Sequence, residues 1–307
     1  MSAVMRFRLL ACDLDGTLLH RGKVTGRAIR ALQAAHNSGC RVAICTGRAY
    51  AMMPRRLRTL PAIDAFINSN GAAVSVRFSR IGTKIIHCAP MDANTAIAAL
   101  KEMLRRGGAV NAFFDGKALF DIEFGAVAAK AEEGVKRKPL EVPAWIFFLI
   151  TKLRSAGAII RRIERPGVSV EKVGGIFADK AEAEAVLNTL GHLGMGLEAL
   201  TTTGNDLEVT AAGATKGNGL AVLAGYFGVP REEILVCGDS GNDISMRGSC
   251  GFFAAPETAS ADVLAVADVV TEPAEKDGVA NWLLSVFSPA AAEPQSDYRS
   301  LSGRGRK

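Results

Sequence analysis

Short continuous apolar runs alternate along this chain with stretches whose apolar residues recur every three or four positions. The run Phe7 to Leu14 (FRLLACDL) is followed by Thr25, a residue suited to capping a helix, then by Ala28, Ile29, Leu32 and Ala35 at helical spacing, with Gly39 as a stop. A second run, Arg41 to Thr46 (RVAICT), completes a strand, helix, strand unit of the kind that builds parallel sheets. A third strand is predicted at Ala65 to Ser69, ending in the turn signal Asn70-Gly71. The same alternation returns near the other end: helix Gly217 to Phe227, strand Ile234 to Cys237, helix Asp243 to Gly248, strands Gly251 to Ala254 and Val269 to Thr271, and helix Val279 to Phe287. The two flanks, 1–82 and 201–288, predict one discontinuous α/β domain with a doubly wound parallel sheet.

Between the flanks, 83–200 changes character. Strand patterns at Lys84 to His87 and Val170 to Phe177 mix with helical ones at Thr95 to Arg106 and Lys180 to Leu190, which predicts an inserted second domain. Within it, Pro143 to Ile163 bunches bulky apolar residues at one end and basic ones at the other. Packing in a core is the first expectation for this stretch; a cleft-lining or membrane-surface helix is the alternative.

Composition narrows the class. The 307 residues, 49% hydrophobic and 22% charged, can bury a substantial core, and no apolar run approaches the ~20 residues of a membrane span. The chain enters its first strand without a signal-peptide layout, and its six cysteines form no C-x-x-C pair, so a soluble protein of the reducing cytoplasm is expected, with no membrane partner. Of the net charge of +6, Arg299, Arg304, Arg306 and Lys307 supply four units at the end of 289–307, a stretch that reads as a disordered basic tail. A nucleic-acid role would rest on that tail alone and ranks last.

Three segments place polar residues just after apolar strands, at the sheet edge where parallel folds bind ligands: Asp13-Leu14-Asp15-Gly16-Thr17, Thr46-Gly47-Arg48, and Gly238 to Asp243. In extended backbone Asp13 and Asp15 project to the same side, so a cation or a proton between them is needed. An Asx-turn would explain the tripeptide alone, and an EF-hand loop fails because Leu18 and Val24 stand where Gly and Glu are required. Asp239 and Asp243 add carboxylates at the same edge, an oxygen set suited to Mg²⁺, although Asp243 at a helix start also reads as a cap. Thr46-Gly47 offers a hydroxyl and amides to a phosphate, or an everyday turn. Lys216, between Thr215 and Gly217, has a solvated helix end as its bland reading.

In this order and spacing the segments resemble the haloacid dehalogenase superfamily, in particular its Cof-type sugar-phosphatase-like branch with an inserted cap. DLDGTLL from Asp13, TGR from Thr46, TKGNGL around Lys216 and GDSGNDISM from Gly238 match its four motifs, and Asn70-Gly71-Ala72 matches a segment ahead of the cap. The resemblance implies a Rossmann-like core with an α/β cap, and Mg²⁺-dependent hydrolysis of a small phosphorylated metabolite. It further implies Asp13 as nucleophile and metal ligand, Asp15 as general acid and base with its backbone carbonyl on the metal, and Asp239 and Asp243 at the metal, Asp243 from behind. Thr46, Gly47 and Lys216 would hold the phosphate, with Asn242 orienting the lysine or the phosphate. Phe253 to Glu257 departs from the family's usual Met-Gly-Asn-Ala, and Gly125 to Pro166 matches poorly. A phosphomutase and a non-catalytic metabolite-binding protein are the rival readings.

Overall fold

The computed structural model describes residues 7–20, 22–80, 82–132, 152–192, 196–201 and 204–288. The basic tail 289–307 and the apolar part of Pro143 to Ile163 lie outside the described residues.

The central strands form because their sequences are apolar at every position. Leu9–Cys12 (LLAC) and Ile234–Cys237 (ILVC) are buried throughout, as is Arg41–Cys45 (RVAIC) after its first residue. Such runs fit only a sheet covered on both faces. They lie in an eight-stranded sheet in the order Val269–Thr271, Phe252–Pro256, Ile234–Cys237, Leu9–Cys12, Arg41–Cys45, Ala65–Asn68, Ala73–Arg77, Thr83–Cys88. The first six run parallel; Ala73–Arg77 pairs antiparallel with Ala65–Asn68, and Thr83–Cys88 pairs antiparallel with Ala73–Arg77. Helices Gly26–Asn37 and Gly278–Phe287 cover one face, burying Leu32, Ile44, Leu235 and Leu283 beneath them; helix Lys216–Phe227 covers the other over Ala11, Ile67, Leu220 and Val236. Each fully buried Leu or Ile contributes about 1.5–3 kcal/mol. From Leu9–Cys12 the chain winds outward through Arg41–Cys45 to Ala65–Asn68, and after the inserted domain it returns on the other side at Ile234–Cys237, so the carboxyl end of Leu9–Cys12 is the switch point where such sheets open a crevice.

The inserted domain is a six-stranded sheet ordered Lys152–Arg154, Lys117–Asp121, Ala109–Phe114, Val170–Ile176, Asp206–Ala211, Leu197–Leu200. Helices Ala93–Arg105, Ala156–Ile163 and Lys180–His192 pack on one face around Leu100, Val110, Ile159, Val173, Val186 and Val209. Its boundaries differ from the expected 83–200. Thr83–Cys88 pairs with Ala73–Arg77 and ends the core sheet, whereas Asp206–Ala211 pairs with Val170–Ile176 and belongs to the cap. Strand pairing, which depends on residues far apart in the chain, decides both. Within the described part of Pro143 to Ile163, Ile159 and Ile163 are buried in the cap core, while Arg154 and Arg161 are exposed.

Candidate active site

Three strand ends bring the motifs together. Asp13 follows Leu9–Cys12 and extends its parallel ladder, its N–H donating to Cys237 O at 2.9 Å. Thr46 follows Arg41–Cys45, and Asp239 follows Ile234–Cys237 by two residues. Lys216 arrives from the opposite side as the first residue of helix Lys216–Phe227, whose N-cap Thr215 accepts from Asn218 N.

Lys216 is the hub. Its ammonium, 1% exposed, donates to Asp13 Oδ1 at 2.6 Å and to Asp243 Oδ1 at 2.7 Å. Burial works against that charge, but Asp13 and Asp243 outweigh it and hold Lys216 above the ordinary lysine range. The other Asp243 oxygen accepts the amides of Asp239 and Ser240, both at 3.0 Å, in a capping box that starts the 3₁₀ turns Gly241–Ser249. Both Asp243 oxygens are thus committed within the protein, one layer behind Asp13 and Asp239.

Asp239 is held by Thr17, whose hydroxyl donates to its Oδ1 at 2.8 Å. Burial, then the neighbouring Asp243, pushes the Asp239 carboxyl up to about 6. Asp13 is also raised, by burial first, with Lys216 opposing and the other carboxylates adding to the rise. The ligand oxygens of Asp13, Asp239 and Asp243 lie within 4.8 Å of one another. Three carboxylates crowded around a single lysine are short of positive charge, and an all-oxygen set of this kind fits a hard divalent cation.

Asp15 does not join that cluster with its side chain, contrary to the expected same-side projection. The strand ends at Cys12, the backbone turns, and the half-exposed Asp15 carboxylate pairs bidentately with Arg48, at 2.7 Å from Nε and 2.6 Å from Nη2. Arg48 also donates to Met52 O at 3.3 Å. Thr46, 1% exposed, turns its hydroxyl to accept from Arg48 N at 3.2 Å. Asn242 donates its amide to Asn70 Oδ1 at 3.2 Å and accepts from Ser240 through its oxygen. Lys216 is oriented by Asp13 and Asp243.

The cap closes the site with residues that the motifs gave no hint of. Lys172 donates to Gly47 O at 2.7 Å and pairs with Glu208, which also accepts from Asn70 Nδ2 at 2.7 Å. A Cβ on Gly47 would meet Asn70 Oδ1 at 2.8 Å, Glu208 Oε2 at 3.4 Å and Lys172 Nζ at 3.6 Å, so these groups converge on the second motif. The available signal was the pair of charged residues set among apolar ones in each of the strands VEKVGGI and DLEVTA.

A doubly wound core, an inserted cap and a lysine-centred aspartate cluster at the switch point describe a hydrolase class rather than one enzyme. The sequence pattern of the family described as haloacid dehalogenase-like hydrolase matches residues 10–283. The chain belongs to this family. Phosphatase YwpJ of Bacillus subtilis is 27% identical to it, over 90% of this chain and 98% of its own. The same bacterium's 5-amino-6-(5-phospho-D-ribitylamino)uracil phosphatase YitU is 25% identical over 91% and 97%. Among solved structures, a haloacid dehalogenase-like hydrolase from B. subtilis superposes with a TM-score of 0.76 at 23% identity, covering 90% of this chain and 98% of that one. A subclass IIB sugar phosphatase superposes at 0.71 with 24% identity, covering 91% and 98%. At that identity the two structures establish the fold, including the cap.

Proposed function

We propose that the chain is a Mg²⁺-dependent phosphatase of small phosphorylated metabolites that works through an aspartyl phosphate on Asp13. The observation that carries this reading is the buried Asp13–Lys216–Asp243 arrangement beside Asp239. Asp13 and Asp239 would hold the metal with their carboxylates and Asp15 with its backbone carbonyl, while Asp243 fixes the loop and the lysine from behind. When bound, the ion supplies charge neutralisation at the phosphoryl oxygens.

An aspartate attacking a phosphate dianion meets repulsion of roughly 4 kcal/mol per charge pair at 4 Å and an effective dielectric near 20. Lys216 offsets part of this, and Thr46 with the Gly47 loop holds the phosphoryl oxygens. An Asp13 oxygen bonds to phosphorus as the bond to the leaving oxygen breaks, and Asp15 gives that oxygen its proton. Asp15 then takes a proton from water as the water oxygen attacks phosphorus, and the Asp13–phosphate bond breaks to release inorganic phosphate. Arg48 pairs with Asp15 in its ionised form, so the proton-donating step requires Asp15 to be protonated and released from that pair.

Rapid-quench kinetics tests the roles. Asp13→Asn is expected to abolish turnover on alkyl and aryl phosphates alike, because an amide is too poor a nucleophile. Asp15→Asn is expected to lose sugar-phosphate turnover yet give a stoichiometric burst of nitrophenolate, which leaves without a proton. A burst from Asp13→Asn would overturn the assignment. Chelator is expected to stop turnover and Mg²⁺ to restore it; full activity in excess chelator would remove the metal from the reading.

A further inference from the structure

The end of the core sheet remote from the active site gathers positive charge. Asn68 pairs with Ala73 at the end beside the motifs, and Ala65 pairs with Val76 at the other, so Arg77 and the turn after it lie beyond the amino ends of the parallel strands. Two segments meet there, 54–59 (PRRLRT) and 77–82 (RFSRIG), which together hold five arginines and no acidic residue. The Arg77 guanidinium clasps them: Nε donates to Ile63 O at 2.6 Å, Nη1 to Arg80 O at 2.8 Å and Nη2 to Arg58 O at 2.9 Å. Helix Arg55–Arg58 is thereby fixed beside the turn that joins Ala73–Arg77 to Thr83–Cys88.

The charge has no counterpart nearby. Asp64, whose carbonyl accepts from Arg77 N at 2.7 Å, gives its carboxylate to Arg41 and to Val42 N, both at 2.9 Å. Among the described residues none of the five arginines pairs with a carboxylate, and Arg55, Arg56 and Arg80 are exposed. Arg58 spends only its Nε, on Met53 O at 3.1 Å. Like charges fixed side by side repel, and a polyanion relieves that repulsion. Phe78, between Arg77 and Arg80, is 71% exposed. A Cβ on Gly82 would meet its Cζ at 2.6 Å, so the tip of the ring folds back over the turn instead of projecting from it. A membrane-inserting side chain projects; a ring laid over a turn among arginines is a platform on which a base can stack.

We infer that Arg55, Arg56, Arg58 and Arg80, held around the Phe78 ring by the Arg77 clasp, form a binding surface for single-stranded nucleic acid. The arginines take backbone phosphates and a base stacks on Phe78, with no sequence read. The sequence puts any nucleic-acid role on the tail 289–307, whereas this surface belongs to the folded core. It lies apart from the catalytic carboxylates and stands independently of the phosphatase reading.

Fluorescence anisotropy of a labelled oligouridylate of about 12 nucleotides, titrated with the full chain, tests this. Four neutralised phosphates at roughly 0.7 each predict binding at least about fiftyfold weaker at about 200 mM NaCl than at about 50 mM. The triple variant Arg55→Gln, Arg56→Gln, Arg80→Gln is expected to bind at least tenfold more weakly at the lower salt, with the slope of log Kd against log salt reduced by about two. Phe78→Ala is expected to lose at least fivefold on oligouridylate and nothing on a duplex of the same length, whose bases are already stacked, while Phe78→Tyr keeps wild-type affinity. These exposed substitutions should leave Tm unchanged. Absence of oligouridylate binding would overturn the inference, as would an unchanged affinity and slope in the triple variant, the mark of the tail acting alone. An equal Phe78→Ala loss on the duplex would overturn it too. So would tighter capture by vesicles of phosphatidylcholine and phosphatidylglycerol than by oligouridylate, lost in the same variants.

Discussion

Gly16 shows how narrowly the carboxylate cluster is built. Its φ of +84° lies in the region that L side chains avoid, and a Cβ there would stand 2.1 Å from Asp239 Oδ2. Gly16→Ala is therefore expected to push Asp239 off its place beside Asp13 and to reduce kcat/KM at least tenfold. Raising Mg²⁺ should recover part of the loss, which a metal titration would show; an unchanged Mg²⁺ requirement would mean that Asp239 has not moved. Residues of this kind were legible in the sequence because Asp13, Asp239 and Lys216 each sit in a short motif at a strand or helix end. Arg48 also stands in such a motif, yet its partner was not legible. Its pairing with Asp15 bridges 33 positions and depends on where the chain turns after Cys12. Lys172 and Glu208 carry no motif at all, and only the pairing of cap strands far apart in the chain brings them together.

At the scale of elements, two helices with the same kind of N-cap serve different ends. Thr25 accepts from Ala28 N at 3.0 Å and starts Gly26–Asn37, which covers the core sheet through Ile29, Leu32 and Ala35. Thr215 accepts from Asn218 N at 3.1 Å and starts Lys216–Phe227, whose first residue is the lysine of the site. That helix is seated so closely that a Cβ on Gly217 would meet Ser245 O at 2.0 Å. Removing either cap to Ala is expected to cost about 1–2 kcal/mol in urea unfolding. Only Thr215→Ala should also lower kcat several-fold, by loosening Lys216; an equal kcat effect from Thr25→Ala would show that stability alone sets the rate. The central strands and these helices were legible because a covered parallel sheet demands unbroken apolar runs and a covering helix demands spaced ones. The antiparallel strands Ala73–Arg77 and Thr83–Cys88 were harder: Thr83–Cys88 is exposed at several positions, and its pattern cannot say which sheet it joins.

At the scale of the whole molecule the two large sheets meet partly through polar contacts, and one of those contacts involves a buried carboxyl. Glu171, 2% exposed on the cap strand Val170–Ile176, accepts from Ser69 Oγ of the core at 2.6 Å and from Gly116 N of the cap at 2.6 Å. Gly116 in turn accepts from Ala51 N of the core at 2.8 Å. Burial raises the Glu171 carboxyl above its ordinary range; the Ser69 and Gly116 bonds and the charge of Lys172 pull the other way, and Asp115 adds to the rise. A carboxyl raised in the folded state binds its proton more tightly there than in the unfolded chain. It therefore stabilises the fold at acidic pH, and that contribution is lost as pH climbs from the ordinary Glu range through the higher folded value. Glu171→Gln keeps an acceptor for Gly116 N and can donate to Ser69 Oγ, but it carries no charge to bury. Urea unfolding at pH 4.5 and pH 8 is thus expected to find the variant close to wild type at the lower pH and more stable at the higher one. A variant that is less stable at pH 8 would mean that the ionised carboxylate is a net favourable clasp between cap and core, with the Ser69 and Gly116 bonds outweighing burial.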